Sequence, residues 1–99
     1  MNVWLDDERP MPPDYHIHVR TAEDAIALLE TGKVTKISLD HDLGQVKTGY
    51  DVAKWIEENA IKGTLTKLCI RVHTQNPVGR QNICAACQNA MKYWGDNDL

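Results

Sequence analysis

Apolar positions along the chain come in short blocks whose period switches between two and about 3.6 residues. Asn2-Val3-Trp4-Leu5 is a brief apolar run that stops at the acidic pair Asp6-Asp7. The stretch from Glu8 to Asp14 contains Pro10, Pro12 and Pro13. Proline removes a backbone donor and restricts its predecessor, so this segment is a stiff loop and not a helix. Tyr15 to Val19 alternates, with Tyr15, Ile17 and Val19 opposite His16 and His18. That pattern predicts an edge strand with the two histidines facing solvent.

Further along, Thr21-Ala22-Glu23-Asp24 resembles a capping-box start. Ala25, Ile26, Leu28 and Leu29 follow at helical spacing, and Gly32 supplies a stop. Lys36 to Leu39 is the next strand, ending at Asp40-His41-Asp42. After a polar loop from Gly44 to Gly49, Thr48 and Asp51 cap a second helix. Its buried face carries Val52, Ala53, Ile56 and Ala60, and Gly63 ends it. Leu68 to Val72 is the last strand, running out at His73 and Thr74. A turn at Asn76-Pro77-Val78-Gly79 leads into a third helix bearing Ile83, Cys84, Cys87, Met91 and Trp94. The predicted order is β-β-α-β-α-β-α. Strands that alternate with helices predict a mostly parallel sheet with right-handed crossovers.

In an open sheet of that kind, ligands bind at the carboxyl ends of the strands. Asp6, Asp7, Asp40, Asp42, His41 and His73 all stand there. Two carboxylates about 4 Å apart repel by roughly 4 kcal/mol at an effective dielectric of 20. The cluster must therefore hold a cation, pair with a basic side chain or keep a proton. Asp6, Asp7 and Asp40 suit Mg²⁺ or Mn²⁺, which one or two carboxylates hold together with water and substrate phosphate. The structural alternative is that Asp7 and Asp42 cap turns while Arg9 neutralises Asp6. If neighbouring strands carry them, His41 and His73 can act as general base and general acid, with or without a metal. Thr74, Asn76 and Arg80 offer donors beside a helix N-terminus, where phosphate binds. Tyr50 is a candidate to stack on a base. Cys84-Ala85-Ala86-Cys87 lies within a helix with no second ligand pair nearby, which predicts buried helix cysteines.

With 99 residues, 42% hydrophobic and 25% charged, the chain has the composition of one small globular domain over residues 1–99. Its net charge of −3 and scattered lysines and arginines argue against a nucleic-acid duplex as partner. No apolar run approaches the ~20 residues of a membrane span, and the three cysteines do not make a disulfide framework. A cytoplasmic protein is expected.

Four strings resemble the cyclic-phosphate-processing receiver family, a shortened stand-alone relative of response-regulator receiver domains. They are Leu5-Asp6-Asp7-Glu8-Arg9-Pro10, Ser38-Leu39-Asp40-His41-Asp42-Leu43-Gly44, Thr48-Gly49-Tyr50-Asp51, and His73-Thr74-Gln75-Asn76-Pro77-Val78-Gly79. The resemblance implies a receiver-like three-layer α/β fold with a four-stranded sheet in the order 2-1-3-4 and about three helices. By the same resemblance Asp6 and Asp7 take the place of a metal-binding acidic pair and Asp40 that of a phosphoacceptor. Thr74 follows the strand that carries a hydroxyl switch. Three departures separate the chain from a signalling receiver. The proline loop replaces the helix between the first two strands, no lysine-bearing fifth strand follows the last helix, and His41 and His73 are additions.

The leading expectation is a phosphoesterase acting on a cyclic phosphate or cyclic nucleotide. Asp6, Asp7 and Asp40 would hold the cation, His41 and His73 would exchange protons, and Arg9, Thr74, Asn76 and Arg80 would steady the phosphate. A small domain of this kind would suit removal of immune signalling nucleotides. The alternatives are a module that sequesters a cyclic nucleotide, or a degenerate receiver used for protein contacts. A homodimer that completes a shallow pocket is a further expectation.

Overall fold

The structure is a computed structural model that describes residues 1–95. Strand β1 (Asn2–Leu5) is followed by β2 (Ile17–Val19), helix α1 (Ala22–Glu30), β3 (Lys36–Leu39), α2 (Gly49–Lys62), β4 (Cys69–Val72) and α3 (Pro77–Tyr93). All pairings are parallel and the strand order is β2-β1-β3-β4. The receiver-like architecture expected from the sequence is therefore present, with three helices and the 2-1-3-4 order. Residues 6–16 form a loop, as their prolines dictate.

The register explains the two faces of the sheet. Val3 aligns with Ile17 and Ile37, and Ile37 with Ile70; Leu5 aligns with Val19 and Leu39. Side chains alternate along a strand, so these residues share one face. Val3, Leu5, Ile37, Leu39 and Ile70 join a single buried cluster with Ala25 and Leu29 of α1, Val52 and Ile56 of α2, and Ile83 and Ala90 of α3. All three helices thus pack side by side on that face. Burying one such aliphatic side chain fully is worth roughly 1.5–3 kcal/mol.

On the opposite face Trp4 and Ser38 share one level of the register and are both buried. The proline loop covers them and makes the third layer. Tyr15 sets its ring edge-on to Trp4 at 5.2 Å, Trp4 Nε1 donates to the Arg9 carbonyl at 3.3 Å, and Asn2 Nδ2 donates to Asp14 O at 3.0 Å.

Local chemistry sets the helix starts. Thr48 and Asp51 make a reciprocal capping box on α2. Asn76 caps α3, its side chain accepting from Gly79 N, and Pro77 occupies the first turn where its missing N–H costs nothing. The predicted Asn76–Gly79 turn is therefore the opening of the helix itself. Cys87 is buried, which pushes its thiol up to about 12, and Cys84 is half-buried. Among the described residues no helix is long and apolar enough to cross a membrane.

Candidate active site

Parallel pairing brings the ends of β1, β3 and β4 to one edge, so Asp6, Asp40 and His73 emerge at the same level. Asp6 and Asp40 bound a cleft of about 370 Å³ lined by Asp6, Asp7, Glu8, Arg9, Asp40, Asp42, Gly44, Thr74, Gln75 and Asn76. Five carboxylates and one guanidinium make this lining strongly negative.

Asp6 is 1% exposed and its carboxylate is fully engaged by the protein. Oδ1 accepts from the backbone N–H of Glu8 and of Arg9, both at 2.8 Å. Oδ2 lies 2.9 Å from His73 Nε2. Burial pushes the carboxyl up, but the two amides and the His73 contacts together outweigh it and hold Asp6 below the usual range. Asp40 is shifted the other way. Burial first and the Asp6 carboxylate second raise it, against a hydrogen bond from the Thr74 hydroxyl that lowers it. Adjacent carboxylates pushed apart in this manner characterise sites where one must stay charged and another can take a proton.

His73 lies beneath Asp6 and outside the cleft lining. Its Nδ1 is 2.7 Å from Ser38 Oγ, and its ring stacks on Trp4 at 3.8 Å with a 9° tilt. Burial lowers its proton affinity, more than Asp6 and Asp40 raise it. A neutral ring that donates from Nε2 to Asp6 must accept at Nδ1, so Ser38 is the donor there. Both nitrogens are thus engaged within the protein, one by Ser38 and one by Asp6. The same segment is clamped from two sides: Arg9 Nη1 donates to His73 O at 2.6 Å, and Arg80 Nη2 to Thr74 O at 3.2 Å.

His41 also lies outside the cleft lining. Its Nδ1 is 2.9 Å from Asp42 Oδ1, while Asn76 Nδ2 reaches Asp42 Oδ2 at 3.3 Å. The ring packs against the first turn of α3, where a Cβ on Gly79 would stand 2.4 Å from His41 Cγ. The α2 N-terminus approaches more closely still, since a Cβ on Gly49 would stand 1.8 Å from Asp40 O. These two glycines let both helices seat directly on the end of β3.

Of the residues expected at the site, Asp6, Asp7, Arg9, Asp40, Thr74 and Asn76 line the cleft, and His41, His73, Tyr50 and Arg80 do not. Tyr50 packs against the core with Lys54 Nζ 5.3 Å from its ring centre, so the expected base stacking has no support in its position. Of the two histidines expected to face solvent, His16, just before β2, is exposed, and His18 within β2 is half-buried. His16 Nδ1 accepts from Asn2 N at 2.8 Å, and His18 Nε2 donates to the Asp6 carbonyl at 2.7 Å. Sequence reasoning missed Ser38, Trp4, Glu8 and Gln75. For Ser38 a signal existed, a hydroxyl between Ile37 and Leu39 in an otherwise apolar strand.

One oxygen from each of Asp6, Asp7 and Asp40 can lie within 4.8 Å of the others. An all-carboxylate donor set suits a hard divalent cation such as Mg²⁺ or Mn²⁺, and would not select a softer thiolate- or imidazole-preferring metal. No curated protein and no solved structure matches the chain significantly. The family model for the cyclic-phosphate processing receiver domain matches residues 1–89. That span takes in all seven elements apart from the last residues of α3, together with every residue of the cleft. The chain belongs to the cyclic-phosphate processing receiver domain family.

Proposed function

We propose that this domain is a cation-dependent phosphoesterase that opens a cyclic phosphate or cyclic nucleotide. The observation that carries this reading is the charge of the cleft: five carboxylates against the single guanidinium of Arg9. A phosphate monoanion entering such a cleft is repelled unless a divalent cation offsets the carboxylates. Asp6, Asp7 and Asp40 would hold that cation, and when bound it would polarise the phosphoryl oxygens and favour attack by water.

The chain's own groups then divide the remaining work. Asp6, kept ionised by its donors, is a permanently charged ligand. Asp40, with raised proton affinity, is the carboxylate suited to receive a proton from attacking water. Thr74, Asn76 and Arg9 line the cleft and would face the phosphate oxygens. His73 and His41 act as positioning residues, His73 through Asp6 and His41 through Asp42. A route relying on the two histidines alone finds less support, because neither ring lines the cleft.

The test is incubation of the protein with 2′,3′-cyclic and 3′,5′-linked cyclic nucleotides, immune signalling dinucleotides among them, in Mg²⁺, Mn²⁺ or EDTA, followed by chromatography. A linear product that disappears in EDTA and in Asp40→Asn is the expected result. Turnover undiminished by EDTA rejects the cation. Ligand that is depleted and returned intact on heating identifies a sequestering module, and acetyl-phosphate labelling of Asp40 without turnover identifies a receiver.

A further inference from the structure

We infer that the cleft reads its substrate through the phosphate and the sugar hydroxyls and ignores the base, so that cyclic phosphates on any nucleoside, or on a base-free polyol, are bound alike. This rests on the phosphoesterase reading above and narrows its substrate class.

The first argument is the lining itself. Besides glycine it consists of carboxylates, amides, one hydroxyl and one guanidinium, and no side chain in it is aromatic or aliphatic. Carboxylates and amides pair with hydroxyls, which donate and accept at once. A base is held differently, by stacking on an aromatic face or by donors and acceptors aimed at its edge.

Every tryptophan and tyrosine of the chain lies outside the lining. Trp4 is sandwiched between His73 and the edge of Tyr15, and both aromatic rings are buried. Tyr50 packs on the core under Lys54. Trp55 borders a separate hollow with Leu29 and Leu65, and Trp94 donates to the Leu65 carbonyl. Tyr93 stands at the C-terminal end of α3, far along the helix from the cleft.

Edge-reading amides are scarce too. Asn76 spends Oδ1 on Gly79 N and Nδ2 on Asp42, and Thr74 Oγ1 accepts from Asn76 N. Gln75 alone offers an exposed, uncommitted amide in the cleft. The exposed apolar residues at this end are Val46, on the loop before α2, and Val78, in the first turn of α3, at 100% and 65% exposure. Two aliphatic side chains outside the lining can rest against a base but present nothing that separates a purine from a pyrimidine.

The experiment measures turnover by phosphorus NMR, and binding by calorimetry in Mn²⁺, for the 2′,3′-cyclic phosphates of adenosine, guanosine, cytidine and uridine. Methyl riboside 2′,3′-cyclic phosphate and the 5′-deoxy analogues complete the set. The four nucleosides are expected to agree within about threefold, and loss of the free hydroxyl to weaken binding at least about tenfold, since a group built to pair with a hydroxyl rejects its absence. Tyr50→Leu should leave the ratios among bases unchanged. A spread above about thirtyfold among bases, or equal binding of the 5′-deoxy analogues, overturns the inference. Uniform binding without turnover keeps it and rejects catalysis. If no compound is bound or cleaved, the phosphoesterase reading and this inference fall together.

Discussion

Replacing Asp40 by Asn should stabilise the metal-free protein while abolishing its response to Mg²⁺. Candidate ligand oxygens of Asp6, Asp7 and Asp40 lie within 4.8 Å of one another. At that separation each like-charge pair costs about 3.5 kcal/mol at an effective dielectric of 20 and about 0.9 kcal/mol in bulk water. Asp40 is partly exposed, so the lower limit is the better guide. Removing its charge should gain about 1 kcal/mol overall, which moves a urea midpoint up by about 1 M for an m-value near 1 kcal/mol per M. Asn retains an oxygen to accept from Thr74, so the hydrogen bond survives.

The pH dependence fixes the sign. Burial and the Asp6 carboxylate raise Asp40 above the ordinary carboxyl value of 3.8. Its stabilising contribution is fully present below 3.8 and is lost as pH rises through the raised folded value. The advantage of Asp40→Asn should therefore appear at neutral pH and close as the pH falls toward 4. Mg²⁺ at ten times its Kd should lift the wild type by about 1.4 kcal/mol and leave the variant nearly unmoved. Urea titrations followed by tryptophan fluorescence, in EDTA and in Mg²⁺, report all three quantities. A variant less stable than wild type in EDTA would show that a basic partner compensates Asp40. A wild type indifferent to Mg²⁺ would refute the cation site.

Three other perturbations follow from the same geometry. Ser38→Ala leaves His73 Nδ1 buried without its donor and should cost about 1–3 kcal/mol, yet close to nothing in a His73→Phe background that keeps the stack on Trp4; equal costs in both backgrounds of a double-mutant cycle would break the proposed coupling. Gly49→Ala drives a Cβ to 1.8 Å from Asp40 O and should destabilise by about 1–3 kcal/mol while weakening the Mg²⁺ response; a wild-type urea midpoint would mean that α2 does not seat on β3 as described. Asp6 is held below the ordinary carboxyl value of 3.8, so its contribution is present above 3.8 and is lost as pH falls through the lower folded value. Acid titration by circular dichroism should show that loss below pH 4 in the wild type and not in Asp6→Asn.

Strand ends were legible in the sequence because apolar runs stop abruptly at Asp6, Asp40 and His73, and a parallel sheet gathers such ends on one edge. The proline loop was legible for an equally local reason, the missing donors of Pro10, Pro12 and Pro13. What could not be read was the direction of each side chain once the strand had ended. His73 follows β4 just as Asp40 follows β3, and sequence position makes both candidates for the crevice. Register leaves them level, and the packing of the side chains separates them. Trp4 and Ser38 form a buried polar-aromatic floor at one level, and the His73 ring lies on it with both nitrogens engaged. Tyr50 is a second case: it adjoins the acidic loop in sequence, and the first turn of α2 packs it on the core beside Lys54.

The buried floor also accounts for the opposite shifts of Asp6 and Asp40. Two amides and a neutral imidazole converge on Asp6, and the β2 side adds His18 on its backbone carbonyl, so this carboxylate keeps its charge and orientation. Asp40 receives less from the protein, chiefly the Thr74 hydroxyl and the amide of His41, while it bears the field of Asp6. An Asp6 without its donors would share its proton with Asp40 and soften both charges. The fold therefore spends Ser38, His73 and Trp4 on one carboxylate, and the result is a neighbour whose charge is most readily balanced by a cation or a proton. The electrostatic asymmetry of this cleft begins below its floor, in residues outside its lining.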